Sequence, residues 1–249
     1  MNIGLVGYGR MGKEVEEILI ERGHTVSLRI DPTSGHADAL TLEAKHLQGI
    51  DGVIEFSLPA AVLHNAAIYA QTGTPAVVGT TGWGALKAEI EKLIRAANGS
   101  YLYGSNFSIG AHILFALAAR AAELIKPFAD YDIMIHEFHH KLKADSPSGT
   151  ALSLAQVVLK NLPRKSAIQT QALDRPIRPE ELHVSSTRGG SIPGIHTLLL
   201  DSQADTIEIT HTVRNRHGLA LGSVQAMEWL QGKKGFFQVE DFVAAVIAN

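Results

Sequence analysis

The stretch Ile3-Gly4-Leu5-Val6-Gly7-Tyr8-Gly9-Arg10-Met11-Gly12 opens with an apolar run, passes through a turn of spaced glycines and enters a helix. A glycine-rich turn between a strand and a helix is where a main chain can close on a phosphate. Gly7 permits the tight turn, Gly9 lets the backbone approach a pyrophosphate, and Gly12 allows close packing of helix on strand. The phosphates would rest on the helix N-terminus, with Arg10 and Met11 beside them, where unpaired N–H groups and the helix dipole favour an anion. Asp31 follows the second apolar run, Thr25–Ile30, at the point where an acid accepts ribose hydroxyls. Strand, turn, helix and acid together predict a dinucleotide site.

The same alternation continues outward. Residues 13–22 set Val15, Ile18 and Leu19 on one helical face, and Gly23 ends it. Strands are predicted at 3–7, 25–30, 52–56, 75–78 and 100–103, with further helices at 60–71 and 86–97. Strands and helices alternating at this spacing imply an α/β fold, a Rossmann-type doubly wound parallel sheet with right-handed crossovers. Ligands in such sheets bind beyond the carboxyl ends of the strands, which brings Gly79-Thr80-Thr81-Gly82 and Ser105-Asn106-Phe107 to the same crevice.

The character changes after Phe107. An Ala- and Leu-rich helix at 109–126 precedes a strand at 132–138 and a helix at 151–162. Alternating runs at 183–187, 197–201 and 206–213 follow in succession, as in a mixed or antiparallel sheet. Helices at 219–230 and 239–248 close the chain. The expected organisation is a dinucleotide-binding domain of residues 1–106 and 217–249, interrupted by an α+β substrate-binding and oligomerisation domain at 107–216.

Composition narrows the function. The 249 residues carry 45% hydrophobic and 19% charged side chains and a net charge of −3, so neither disorder nor a basic field for nucleic acid is expected. No continuous apolar run reaches the roughly 18 residues of a membrane span, and no targeting segment is visible. Cysteine is absent, which removes disulfides, thiolate metal sites and thioester-forming dehydrogenases, and fits the cytoplasm.

The run at 137–150, EFHHKLKADSPSGT, is the richest in chemistry. Ser146 reads as a helix N-cap with Pro147 at the first helical position. The N–H groups of Ser148, Gly149 and Thr150 would then face an anion, with Lys143 as a nearby cation. That corner suits a small acidic substrate. His136, His139 and His140 could suggest zinc, but His136 and His139 fall on opposite faces of a continuing strand and the lysines oppose a cation, so no metal is expected.

With GYGRMG, EFS at Glu55, GTTG at Gly79, SNFS at Ser105 and the EFHHKLKADSPSGTA run, the whole chain resembles the 4-hydroxy-tetrahydrodipicolinate reductase (dihydrodipicolinate reductase) family. The resemblance implies an oxidoreductase of diaminopimelate and lysine biosynthesis that uses NADH and/or NADPH and forms a homotetramer. It implies that His139 is a proton donor or acceptor and Lys143 the proton donor. It assigns substrate binding to His140, Ser148, Gly149 and Thr150, the last two gripping a carboxylate of a small dicarboxylate. The cofactor would meet Gly7, Met11, Gly12, Asp31, the Gly79, Thr80 and Thr81 loop, the Ser105, Asn106 and Phe107 loop, and Arg216. Three departures stand out. Pro32 replaces the arginine with which some members hold a 2′-phosphate, Glu55 replaces the usual aspartate, and the segment from Asp31 to Asp51 is shorter, so part of the sheet is expected to be trimmed. A nucleotide-binding sensor without chemistry and a dehydrogenase of amino or keto acids are the rival readings.

Overall fold

β1 (Asn2–Val6) ends at Gly7, whose φ of +90° costs glycine little, and α1 (Arg10–Glu21) begins directly after Gly9. The computed structural model describes residues 1–247. α1 starts earlier than residue 13 because Arg10, Met11 and Gly12 themselves form its first turn. A side chain at Gly7 would collide with the Phe56 carbonyl, and one at Gly12 with the Gly7 carbonyl. The turn is therefore built on two glycines that packing demands, while a Cβ at Gly9 would meet nothing within 4 Å.

β2 (Thr25–Ile30) follows, and then a segment with no strand, only an isolated bridge from Ile30 to Ala39 and a 3-10 turn at Ala44–Leu47. β3 (Gly52–Glu55), α2 (Val62–Thr72), β4 (Ala76–Val78), α3 (Lys87–Ala96) and β5 (Ser100–Tyr103) complete the alternation.

The second compact unit, Gly110–Asn215, contains nearly all of α4 (Ile109–Leu124), then β6 (Asp132–His139), α5 (Gly149–Asn161), β7 (Ala167–Gln169), β8 (Glu181–Arg188), β9 (Ile195–Asp201) and β10 (Thr206–Thr212). Its sheet has the order β10-β9-β6-β8-β7 and is mixed: β6 runs parallel to β8 and antiparallel to β9. β6 alternates strictly, so Ile133, Ile135, Glu137 and His139 share the buried face. There Ile133 and Ile135 join Leu182, Val184, Leu198 and Leu200 under Leu114, Ala118, Leu154 and Val158 of the two helices. The alternate residues Met134, His136, Phe138, Thr197 and Leu199 remain half-buried on the other face.

From Arg216 onward the chain belongs to the first unit, together with Met1–Ile109. α6 (His217–Leu230), β11 (Gly235–Gln238) and α7 (Val239–Ile247) complete it; Ala248 of the predicted last helix lies outside the described residues. All six strands of this unit are parallel, in the order β11-β5-β4-β3-β1-β2. Period-two alternation divides each strand between two cores. Ile3, Leu5, Ile54, Val77 and Leu102 face α1, α6 and α7, while Val6, Val53, Ala76, Val78 and Tyr101 face α2 and α3. Burial on both faces explains the continuous apolar strands. Phe107 belongs to the first of these cores, and a side chain at Gly222 of α6 would collide with its carbonyl. The unit boundaries thus fall after Ile109 and before Arg216, a few residues from 106 and 217. No described helix is long and apolar enough to cross a membrane.

Candidate active site

In the first unit, the strand ends converge on three cavities. One, of about 370 Å³, is lined by Gly7, Gly9, Asp31, Pro32 and Thr33, and by Leu40, Leu42 and Leu58. A second, of about 340 Å³, is lined by Gly9, Arg10, Met11, Gly79, Thr80, Thr81 and Arg216. A third, of about 240 Å³, is lined by Thr80, Thr81, Ser105, Lys87 and Tyr103, among others. The cofactor residues expected from sequence therefore come together here, with two qualifications. Gly12 and Phe107 act by packing, the one under the glycine turn and the other in the core with its ring steeply inclined to that of Phe56. Asn106 turns its side-chain oxygen back onto the Ser108 N–H at 2.9 Å.

The cradle fits a dinucleotide. α1 has Gly9 as N-cap and no side-chain cap, so nothing of its own side chains covers the helix start, and the space before Gly9 is open. Asp31 Oδ1 accepts from the Thr33 and Ser34 N–H groups and Oδ2 from the Tyr8 N–H, each at 2.8 Å. Burial opposes its charge, but these hydrogen bonds win and hold the carboxyl below the usual range. An ionised acid thus lines the larger cavity. Arg29, on the strand before it, is bound by Glu16.

Glu55 at the end of β3 is fully buried. Its longer side chain reaches α2, accepting from Asn65 Nδ2 at 2.9 Å and Tyr69 OH at 2.7 Å, and it also accepts from Ser57 Oγ. Burial nevertheless pushes its carboxyl up. This network accommodates glutamate where relatives were expected to carry aspartate.

In the second unit, Glu137 organises everything around it. It is fully buried and accepts from the Ser148 N–H at 2.8 Å, the Ser148 hydroxyl, Ser186 Oγ at 2.9 Å and Arg188 Nη2 at 2.7 Å. Burial raises its pKa, but the hydrogen bonds from His196, Ser148 and Arg188 dominate and hold it well below the carboxylate range. His139 Nδ1 lies 3.3 Å from Glu137 and His196 Nε2 3.4 Å. Burial pushes the His139 imidazole down to about 4, aided by His196, Lys143 and Arg188 and opposed by Glu137. His136 points to the other face of the sheet, where Nδ1 meets Ser185 Oγ at 2.6 Å.

The helix start differs from the sequence reading. Ser146-Pro147 is a cis peptide before the helix, and Ser148 is the N-cap of α5, its hydroxyl accepting from the Ala151 N–H at 3.1 Å. The cap moves because Glu137 seizes both the Ser148 N–H and hydroxyl, fixing that residue in an extended conformation. The Ser148 N–H is thus not available to an outside anion. Gly149 and Thr150 begin the helix, and a Cβ at Gly149 would meet nothing within 4 Å. Lys143 is turned back toward this start by its own N–H donating to the His140 carbonyl at 3.1 Å, and its Nζ pairs with Asp145 at 2.8 Å.

Glu137, Arg188, His196 and the glycine loop 189–194 were not singled out by sequence. The Gly189 N–H donates to the His139 carbonyl at 3.0 Å, and a Cβ at Gly194 would stand 3.0 Å from His139 Nε2. Clustered glycines after a strand were the available signal. Glu137, His139 and His196 have metal-ligand spacing among the described residues, but a guanidinium and a serine occupy the carboxylate oxygens, and that positive neighbour disfavours a cation.

Known proteins agree with this architecture. The family models "Dihydrodipicolinate reductase, N-terminus" and "Dihydrodipicolinate reductase, C-terminus" match residues 1–107 and 110–243. A 4-hydroxy-tetrahydrodipicolinate reductase of Christiangramia forsetii is 36% identical over 249 residues, all of both chains. One from Aquifex aeolicus is 36% identical over 194 residues, 77% of this chain and 72% of its own. Among solved structures, a dipicolinate-bound dihydrodipicolinate reductase from Paenisporosarcina sp. TG-14 has a TM-score of 0.77 at 19% identity, covering 97% of this chain and 99% of that one. An amine dehydrogenase from Mycobacterium smegmatis shares the fold at a TM-score of 0.61 and 12% identity, with 96% and 95% covered. Built on a nicotinamide-cofactor fold and matched from end to end, the chain belongs to the dihydrodipicolinate reductase family.

Proposed function

We propose that the protein reduces 4-hydroxy-tetrahydrodipicolinate, by way of dihydrodipicolinate, to tetrahydrodipicolinate with NADH or NADPH, a step of diaminopimelate and lysine biosynthesis. The observation that carries this reading is the run 137–150 folded around buried Glu137, in a chain that matches the family along its whole length. Bound in the cavities of the first unit, the nicotinamide cofactor supplies the hydride. Gly7, Gly9, Arg10, Met11 and Arg216 hold its phosphates, and Asp31 takes a ribose.

Gly149, Thr150 and His140 grip the substrate, the first two at a carboxylate before the helix start, where partial positive charge collects. Lys143 delivers the proton to the ring atom left electron-rich. His139, uncharged at neutral pH because burial holds it near 4, serves as the hydrogen-bonding partner and relay. The ionised Asp31, Pro32 beside it and the neutralised Arg29 all disfavour a 2′-phosphate, so NADH is used at least as well as NADPH. The second unit is the substrate-binding and oligomerisation domain, and a homotetramer forms through the half-buried face of its sheet. The enzyme works in the cytoplasm.

The test is loss of the reduced-nicotinamide absorbance when freshly made 4-hydroxy-tetrahydrodipicolinate is added, with NADH and NADPH in parallel. Cofactor binding without oxidation would leave a nucleotide sensor instead. A tenfold preference for NADPH would overturn the cofactor assignment and point to Arg10 and Lys13.

A further inference from the structure

The carboxylate corner already contains a carboxylate of the chain's own. Asp145 Oδ1 lies 2.8 Å from Lys143 Nζ, and the Gly149 N–H adds to what holds the same carboxyl below its ordinary range. These are the cation and one of the helix-start donors that the proposed function gives to the substrate.

The backbone of Asp145 is anchored independently of its side chain. Arg188 Nη2 donates to the Asp145 carbonyl at 2.5 Å, and the same guanidinium is fixed by buried Glu137 at 2.7 Å. The side chain itself is 54% exposed, whereas that of Lys143 is 25% exposed. Rotation about the Asp145 side-chain bonds therefore frees both donors without moving the loop. A Cβ at Gly149 would meet nothing within 4 Å, so no neighbouring atom crowds this residue.

We infer that Asp145 is a resident competitor for the substrate's carboxylate, filling the Lys143 and Gly149 contacts in the free enzyme and being displaced when a dicarboxylate enters. The inference rests on the substrate corner assigned above. Lys143 keeps the Asp145 carboxyl below its ordinary range, so protonation does not vacate the corner at neutral pH and a ligand has to displace the anion. The device makes the site selective. A ligand that offers one carboxylate exchanges one anion for another, whereas a second carboxylate brings contacts that Asp145 never made.

The experiment titrates dipicolinate into the NADH-loaded enzyme and into variants. Removing the competitor in Asp145→Asn should tighten dipicolinate binding about two- to fivefold, the range open to a half-exposed ion pair. Asp145→Ser should move affinity in the same direction, and Asp145→Glu, which keeps the charge, should show no such gain. Unchanged or weaker binding in Asp145→Asn and Asp145→Ser would overturn the inference, because Asp145 would then support the corner instead of competing for it. Lys143→Ala and Thr150→Val, measured alongside, separate the two levels: both weaken dipicolinate if the corner is the substrate site. If neither does, the corner assignment itself falls and the competitor with it.

Discussion

An imidazole that burial holds near 4 carries no proton at pH 7, and in the proposed mechanism this divides the labour between His139 and Lys143. In the proposed mechanism Lys143 is the proton source, so Lys143→Ala should lower kcat on the order of 10²-fold or more, the span of general acid catalysis. Steady-state rates with saturating NADH check this; near-normal turnover would remove Lys143 from the chemistry. The resemblance to the family carried His139 and Lys143 into the chemistry; residue types alone made Lys143 only a cation beside a carboxylate corner. It did not point to Glu137, Arg188 or His196. A single glutamate followed by phenylalanine reads as an ordinary strand end. Only the pairing of β6 with β8 and β9 shows that three distant side chains meet there.

Among the elements, the first strand, turn and helix were the most legible, since glycines at fixed spacing have a backbone reason to be there. The structure shows the steric side of the separate roles the motif suggests. A methyl group at Gly9 meets open space, whereas one at Gly12 meets the Gly7 carbonyl. Gly9→Ala should therefore leave the thermal midpoint nearly unchanged and raise the KM for NADH, by roughly tenfold if one phosphate contact of about 1.4 kcal/mol is lost. Gly12→Ala should destabilise the protein by about 1–3 kcal/mol, as overpacking does, and urea unfolding of the two variants tells them apart. β7 and β11 escaped the sequence reading because Ala167 with Ile168, and Phe236 with Phe237, stand among polar and glycine neighbours and make too short an apolar run to mark a strand. The start of α5 was misplaced by two residues for another reason. Ser146-Pro147 carries the local signals of a helix start, but the cap is decided by a long-range bond from Ser148 to Glu137.

For the molecule as a whole, acid should be the weak side. The folded state holds His139 near 4 against 6.5 unfolded, so the unfolded chain binds the proton first as pH falls. Stability from this group is complete above about 6.5 and is lost progressively toward 4; Glu137, also lowered, adds to the loss at more acidic pH. Urea midpoints measured across that range should fall with pH, and His139→Gln should flatten the slope between 6.5 and 4. The proposed tetramer makes a separate prediction. Leu199→Asp, on the half-buried face of the second sheet, should shift the mass seen by light scattering below that of a tetramer, while Ile20→Asp on exposed α1 should not. The division into two units was legible in outline because strand–helix alternation stops near Phe107, although Phe107 itself proved to be core of the first unit. That division also has a consequence for the order in which the protein is made. β11 pairs with β5 at the edge of the first sheet, yet the whole of the second unit lies between them in the chain. At a ribosomal rate of about 5–20 residues per second, the edge of β5 waits on the order of ten seconds for its partner. During synthesis the inserted unit can fold to completion while the unit that precedes it is still an open sheet with an unpaired border.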